Sequence, residues 1–118
     1  MIYTTYYAKL RDVPEGARVF SISNSQPEGM SLPQLWQVIP SWSDVQQYKQ
    51  SGDWETFVNR YIQRLDSVDK VTLLPHLVDG DVVLVCYEKD ASRCHRSILA
   101  EWITQEFCFP VKEWGCPT

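Results

Sequence analysis

Residues Asp81–Phe107 read DVVLVCYEKDASRCHRSILAEWITQEF, and the change of pattern inside this stretch decides the architecture. Val82, Val83, Leu84 and Val85 form an unbroken apolar, largely β-branched run. Such a run lacks the alternation of a half-exposed strand and predicts one buried on both faces of a helix-covered sheet. The strand is expected to end at Cys86-Tyr87-Glu88, followed by the polar turn Lys89-Asp90-Ala91-Ser92. A helix over 93–106 should then open with Arg93-Cys94-His95-Arg96, with Ser92 as its N-cap. Its apolar positions Ile98, Leu99, Trp102 and Ile103 recur at helical spacing and mark the face turned to the sheet.

Working outward, Met1 to Ala8 and Ala17 to Ser23 read as strands, separated by the Pro14 and Gly16 turn. Glu28 to Pro40 is irregular, with one helical turn expected near Leu35-Trp36. Ser43 with Gln46 forms a capping-box pattern for a short helix that Gly52 would stop. Asp53 caps the next helix, where Trp54, Phe57, Val58, Tyr61, Ile62 and Leu65 make a full amphipathic stripe. Ser67 to Val78 reads as a further short helix, although Pro75 fits poorly inside one, and Phe109 to Trp114 reads as a last strand. The order of strands and helices predicts a single α/β domain over 1–118, a small three-layer sandwich with a mostly parallel central sheet flanked by helices. Ligands of such sheets bind beyond the carboxyl ends of strands. That directs attention to Ser23-Asn24-Ser25-Gln26 and Cys86-Tyr87-Glu88.

Composition narrows the function classes. The 118 residues are 44% hydrophobic and 22% charged, which is ordinary globular usage and enough for a core without covalent staples. A net charge of −4 argues against unspecific grip on a nucleic-acid backbone, which needs a basic surface. No apolar run has transmembrane length and the first residues lack a signal-peptide pattern, so a cytoplasmic protein without a membrane partner is expected. Cys86, Cys94, Cys108 and Cys116 are accordingly expected to be reduced thiols. Their separations of seven, thirteen and seven residues do not match the close ligand pairs of zinc motifs. Trp36, Trp42 and Trp54 are assigned to core or lid packing. Oligomeric state is left open.

The chemistry concentrates at the strand-to-helix turn. A helix start favours anions through its free N–H groups and dipole, and Arg93, Arg96 and Ser92 add donors. Arg96 is read as the anion holder, because its fork matches a phosphate or carboxylate. The alternative is that it pairs with Glu88 or Glu113 and fastens helix to sheet. Cys94 in the first turn would be a candidate nucleophile, with His95 and Glu88 as acid, base or orienting groups. Asn24 and Ser25 approach from the other strand end. Cys86, at the end of a buried strand, reads as a small core residue or a ligand-contacting one. The expected ligand is a phosphorylated small molecule or nucleotide. No G-x-x-x-x-G-K or G-x-G-x-x-G loop occurs, so no cofactor is assigned.

Cys86-Tyr87-Glu88-Lys89, then Cys94-His95-Arg96, then Ala100-Glu101-Trp102 in the following helix, resembles the signature of the domain-of-unknown-function family four-eighty-eight. Its members are small bacterial and phage proteins. Ile2-Tyr3-Thr4, Tyr6-Tyr7-Ala8, Pro27, Pro40 and Val111 with Glu113 extend the likeness over nearly the whole chain. Where that family carries a basic residue after the second strand, this chain has Ser23-Asn24-Ser25. The resemblance supports the place of the site and names no reaction. Two other classes of function stand beside anion binding. One is a metal-binding module using Cys86, Cys94 and His95, with Glu88 or another cysteine; adjacent helical residues point about 100° apart, which disfavours joint ligation by Cys94 and His95. The other is a non-catalytic phage or bacterial interaction factor with aromatic anchors.

Overall fold

The apolar run lies at the heart of the sheet. In the computed structural model, which describes residues 1–114, the strands β1 (Ile2–Tyr6), β2 (Arg18–Ser21), β3 (Val82–Cys86) and β4 (Val111–Glu113) are arranged β2-β3-β1-β4. All three neighbouring pairs are parallel. Every residue of β3 is buried, as a strand covered on both faces must be. Cys116 lies outside the described residues.

Register places Ile2 beside Val82, Thr4 beside Leu84 and Tyr6 beside Cys86, so these side chains share one face. That face packs against Tyr61 and Leu65 of α2 (Trp54–Asp66), Leu73 and Leu77 of α3 (Lys70–Leu77), and Leu99, Trp102 and Ile103 of α4 (His95–Phe107). On the opposite face a 3-10 segment, Tyr7–Asp12, lies against β1 and β3, where Thr5, Val83 and Val85 are fully buried. The helix α1 (Trp42–Ser51) packs on α2. This is the expected parallel sheet flanked by helices.

Local chemistry moves several boundaries. Ser41, not Ser43, caps α1 by accepting from the Asp44 amide at 3.2 Å, and Gly52 ends the helix at φ 71°. Asp53 caps α2 through the Thr56 amide. Asp69 caps α3, which takes Pro75 near its end and stops two residues later. The largest shift is at the functional turn. Asp90 accepts from both the amide and the hydroxyl of Ser92, at 3.0 and 2.7 Å, and so nucleates a separate 3-10 turn, Ala91–Arg93. Cys94 then takes extended dihedrals (φ −124°, ψ 143°), and α4 begins only at His95. Ser92 is therefore not the cap of α4, and Arg93 lies before the helix.

Arg96 fastens this helix start to the sheet. It is 0% exposed. Its Nε donates to both Glu113 oxygens at 3.0 and 3.1 Å. Nη2 donates to Glu113 Oε2 at 3.0 Å and to the Lys89 carbonyl at 3.1 Å. Nη1 donates to Cys86 Sγ at 3.2 Å and to the Glu88 carbonyl. A guanidinium has five N–H groups, and all are occupied within the protein. The reading of Arg96 as anion holder gives way to the alternative, a clamp on Glu113, because no donor is left for a ligand. Glu113 is itself held by Thr4 Oγ1 at 2.8 Å, which ties β4, β1 and α4 together.

Removing one partner of a buried pair strands the other. Glu113→Ala should therefore lower stability by about 2–3 kcal/mol in urea unfolding at neutral pH, below the fully buried range because the carboxylate is partly wet. Arg96→Lys, which loses the fork, should also lower the melting temperature. A Glu113→Ala protein as stable as the parent would refute the clamp.

Candidate functional site

Beyond the carboxyl ends of β2 and β3 lies a cleft of about 510 Å³. Its far wall comes from α1 and α2 (Trp42, Val45, Tyr48, Lys49, Trp54 and Phe57). The near wall carries Asn24, Ser25, Tyr87, Glu88 and Arg93, and Cys94 with His95 lies between. The volume falls in the range of small-molecule sites.

The Cys/His cluster arises from two segments, the end of β3 and the start of α4. Cys86 ends β3 and Cys94 precedes α4; both are buried, at 1% and 3% exposure. Their sulfurs are in direct contact across the turn, while their Cα atoms are 7.7 Å apart. That span exceeds the one over which a disulfide closes without backbone movement. The pair thus reads as two sulfurs converging on one point, a proximity that the expectation of reduced thiols did not include. His95 Nδ1 lies 3.9 Å from Cys94 Sγ. The reactive atoms of Cys86, Cys94 and His95 all fall within 4.8 Å of one another. The 100° rule for adjacent helical residues does not apply, because Cys94 has extended backbone.

The histidine's orientation is set by the backbone. Its Nε2 lies 2.5 Å from the Ile22 carbonyl, which only accepts, so Nε2 carries the proton and donates. Nδ1 of the neutral ring is left with its lone pair toward the sulfurs. The Tyr61 ring packs edge-on against the imidazole at 5.6 Å. Burial pushes the His95 pKa down to about 4, the Ile22 hydrogen bond opposing and the Arg96 charge assisting. The ring is therefore neutral at pH 7 and available as a base or ligand.

Beside this cluster the wall is stiffened by hydroxyls. Tyr7 Oη bonds with Ser21 Oγ at 2.8 Å and Ser23 Oγ at 2.6 Å, and Ser23 Oγ donates to the Ser25 carbonyl. Asn24 spends its amide on the Pro40 carbonyl at 3.0 Å. Tyr87 packs on Tyr7 with centroids 4.9 Å apart.

Of the residues singled out from sequence, Asn24, Ser25, Glu88, Arg93, Cys94 and His95 meet at the cleft, with Cys86 against Cys94. Ser92 is not among the lining residues and its hydroxyl is given to Asp90, while Arg96 is sealed beneath. Trp42, assigned to packing, is 50% exposed at the cleft. Lys49 was not singled out, although Trp42, Val45 and Lys49 at spacings of three and seven share one face of α1.

A parallel α/β sheet with a cysteine–histidine cluster at its carboxyl edge defines the class. The profile of DUF488-N3a, the active DUF488-N3 subclade, matches residues 2–107. The chain belongs to the DUF488 family. The matched span contains the whole cluster and stops before β4 and Glu113. No curated protein and no solved structure matches the chain.

A depressed histidine pKa carries a definite sign. Between about pH 6.5 and about 4, unfolded chains bind a proton on His95 that the folded, metal-free protein does not. Stability is thus complete above this window and is lost as pH falls through it, by on the order of 2 kcal/mol for this part-buried ring. His95→Gln should flatten that limb in urea titrations with chelator present. An unchanged limb would assign it to other groups.

Proposed function

We propose that Cys86, Cys94 and His95 form a Cys/His centre for one borderline-soft divalent metal ion, zinc being the natural candidate. The observation that carries this reading is the fixed tautomer. The Ile22 carbonyl takes the Nε2 proton, which leaves Nδ1 facing two sulfurs within 4.8 Å. Metal-bound histidines commonly donate their second nitrogen to a carbonyl or carboxylate in this way. A ring held neutral at pH 7 also spares the proton that metal would otherwise displace.

Two thiolates and an imidazole are the protein ligands of an open zinc site, in which the remaining position takes water or substrate. Arg96 supports the centre from below, since its Nη1 donates to Cys86 Sγ at 3.2 Å and so stabilises negative charge on that sulfur. Cys94 and His95 line the cleft, so the open position would serve a small ligand there. A cytoplasmic setting, where thiols stay reduced, suits such a centre. Among the described residues no helix is long and apolar enough to cross a membrane. The anionic ligand expected from sequence stays part of this reading, with Arg93 in place of Arg96 as the cation facing it.

Protein purified without added metal should contain about one zinc per chain. Cobalt exchange should give the intense thiolate-to-metal absorption, and Cys94→Ser should abolish both. Chelation should lower the melting temperature, because metal binds only the folded site. Metal-free protein whose stability ignores both zinc and chelator would overturn the proposal.

A further inference from the structure

The cleft walls carry features that a metal centre alone leaves unused. Trp42 and Tyr87 line it and remain 50% and 48% exposed. The neighbouring Tyr48, Trp54 and Phe57 rings are by contrast packed on one another, with centroids 5.2 to 5.6 Å apart. Exposed rings in a concavity gain most from a flat ligand that covers them. Lys49 Nζ is poised 5.7 Å from the Trp42 ring centroid, so one cation sits at an aromatic wall. Arg93 lines the same cleft. Among the described residues, neither Lys49 nor Arg93 has an ion-pair partner. Among the described residues Glu88 is the only carboxylate lining the cleft, which is therefore locally cationic in a chain of net charge −4.

We propose that this cleft binds a small planar heteroaromatic ligand carrying an anionic group, the chemistry of a nucleoside monophosphate, with its ring against Trp42 and Tyr87 and its anion met by Lys49 and Arg93. Glu88 then accepts from an amino group on the ring, as carboxylates do with exocyclic amines of bases. The acidic chain disfavours a long polyanion in this place, so the occupant is a small molecule. The assignment rests on the Cys/His centre being the working end of the cleft, and adds the class of ligand brought to it.

The test uses the protein as purified, with adenosine 5′-monophosphate, adenosine and inorganic phosphate as probes in calorimetry and tryptophan fluorescence. The monophosphate should bind and quench. Adenosine should bind at least about tenfold more weakly, having no charge for the cations to meet. Arg93→Ala and Lys49→Ala should each weaken the monophosphate about tenfold and leave adenosine unchanged. Trp42→Ala should weaken both nucleoside probes. Equal binding of monophosphate and adenosine, equal binding of the monophosphate and phosphate alone, or no monophosphate binding up to about 1 mM would each overturn the proposal. The two readings separate cleanly. Zinc-loaded protein that ignores the monophosphate refutes only the ligand, and protein that binds the monophosphate while its stability ignores both zinc and chelator refutes only the zinc centre.

Discussion

A guanidinium without access to water depends wholly on the partners the fold supplies, and Arg96 is such a group. Burying it uncompensated would cost several kcal/mol, a large share of what a domain this size has in hand. The compensation comes from the Glu113 carboxylate, the carbonyls of Glu88 and Lys89, and the Cys86 sulfur. Two of these belong to the loop leaving β3 and one to the last strand. Satisfying Arg96 therefore dictates where α4 begins, how the turn before it is routed, and where β4 sits against β1. The carboxylate and the two carbonyls give a planar fork acceptors that a lysine's single ammonium could not span.

The position of the cluster follows from that anchoring. With Arg96 held below, His95 is turned toward β2 and meets the Ile22 carbonyl. The Asp90 turn ahead of the helix leaves Cys94 extended, so its sulfur faces Cys86 and the imidazole together. No residue of the trio could be placed by a helix alone. One comes from a strand end, one from an extended joint and one from a first helical position. Such a site inherits the rigidity of a parallel sheet while Cys94 and His95 face a cleft whose far wall is α1 and α2.

What could be read in the sequence was what depends on near neighbours. The β3 run and the α2 stripe announce burial through local periodicity, and the structure has both elements where that periodicity puts them. The turn from 88 to 96 also declared itself, since its reactive residues are crowded within nine positions. Its interior did not. Asp90 and Ser92 are both able caps, and only the competition between them decides that the helix waits until His95. The same displacement removes the reason for doubting that Cys94 and His95 act together. Arg96 was ambiguous because a cation at a helix start looks alike whether it faces solvent or a carboxylate 17 residues away. Lys49 passed unnoticed and Trp42 was given to packing because α1 buries none of its residues fully, so its pattern carries little contrast.

The strand order has a consequence for how the chain is made. β1, made before the other three strands, is flanked in the finished sheet by β3 and β4, which both follow it by more than 70 residues. Contacts of such separation pay their loop-closure entropy before any return. Until residue 113 has emerged, Arg96 lacks its carboxylate and β1 lacks one neighbour. A nascent chain halted after α4 would thus hold both cysteines and the histidine yet leave their support unfinished. Assembly of the cluster is timed by β4, the last of the four strands to be made.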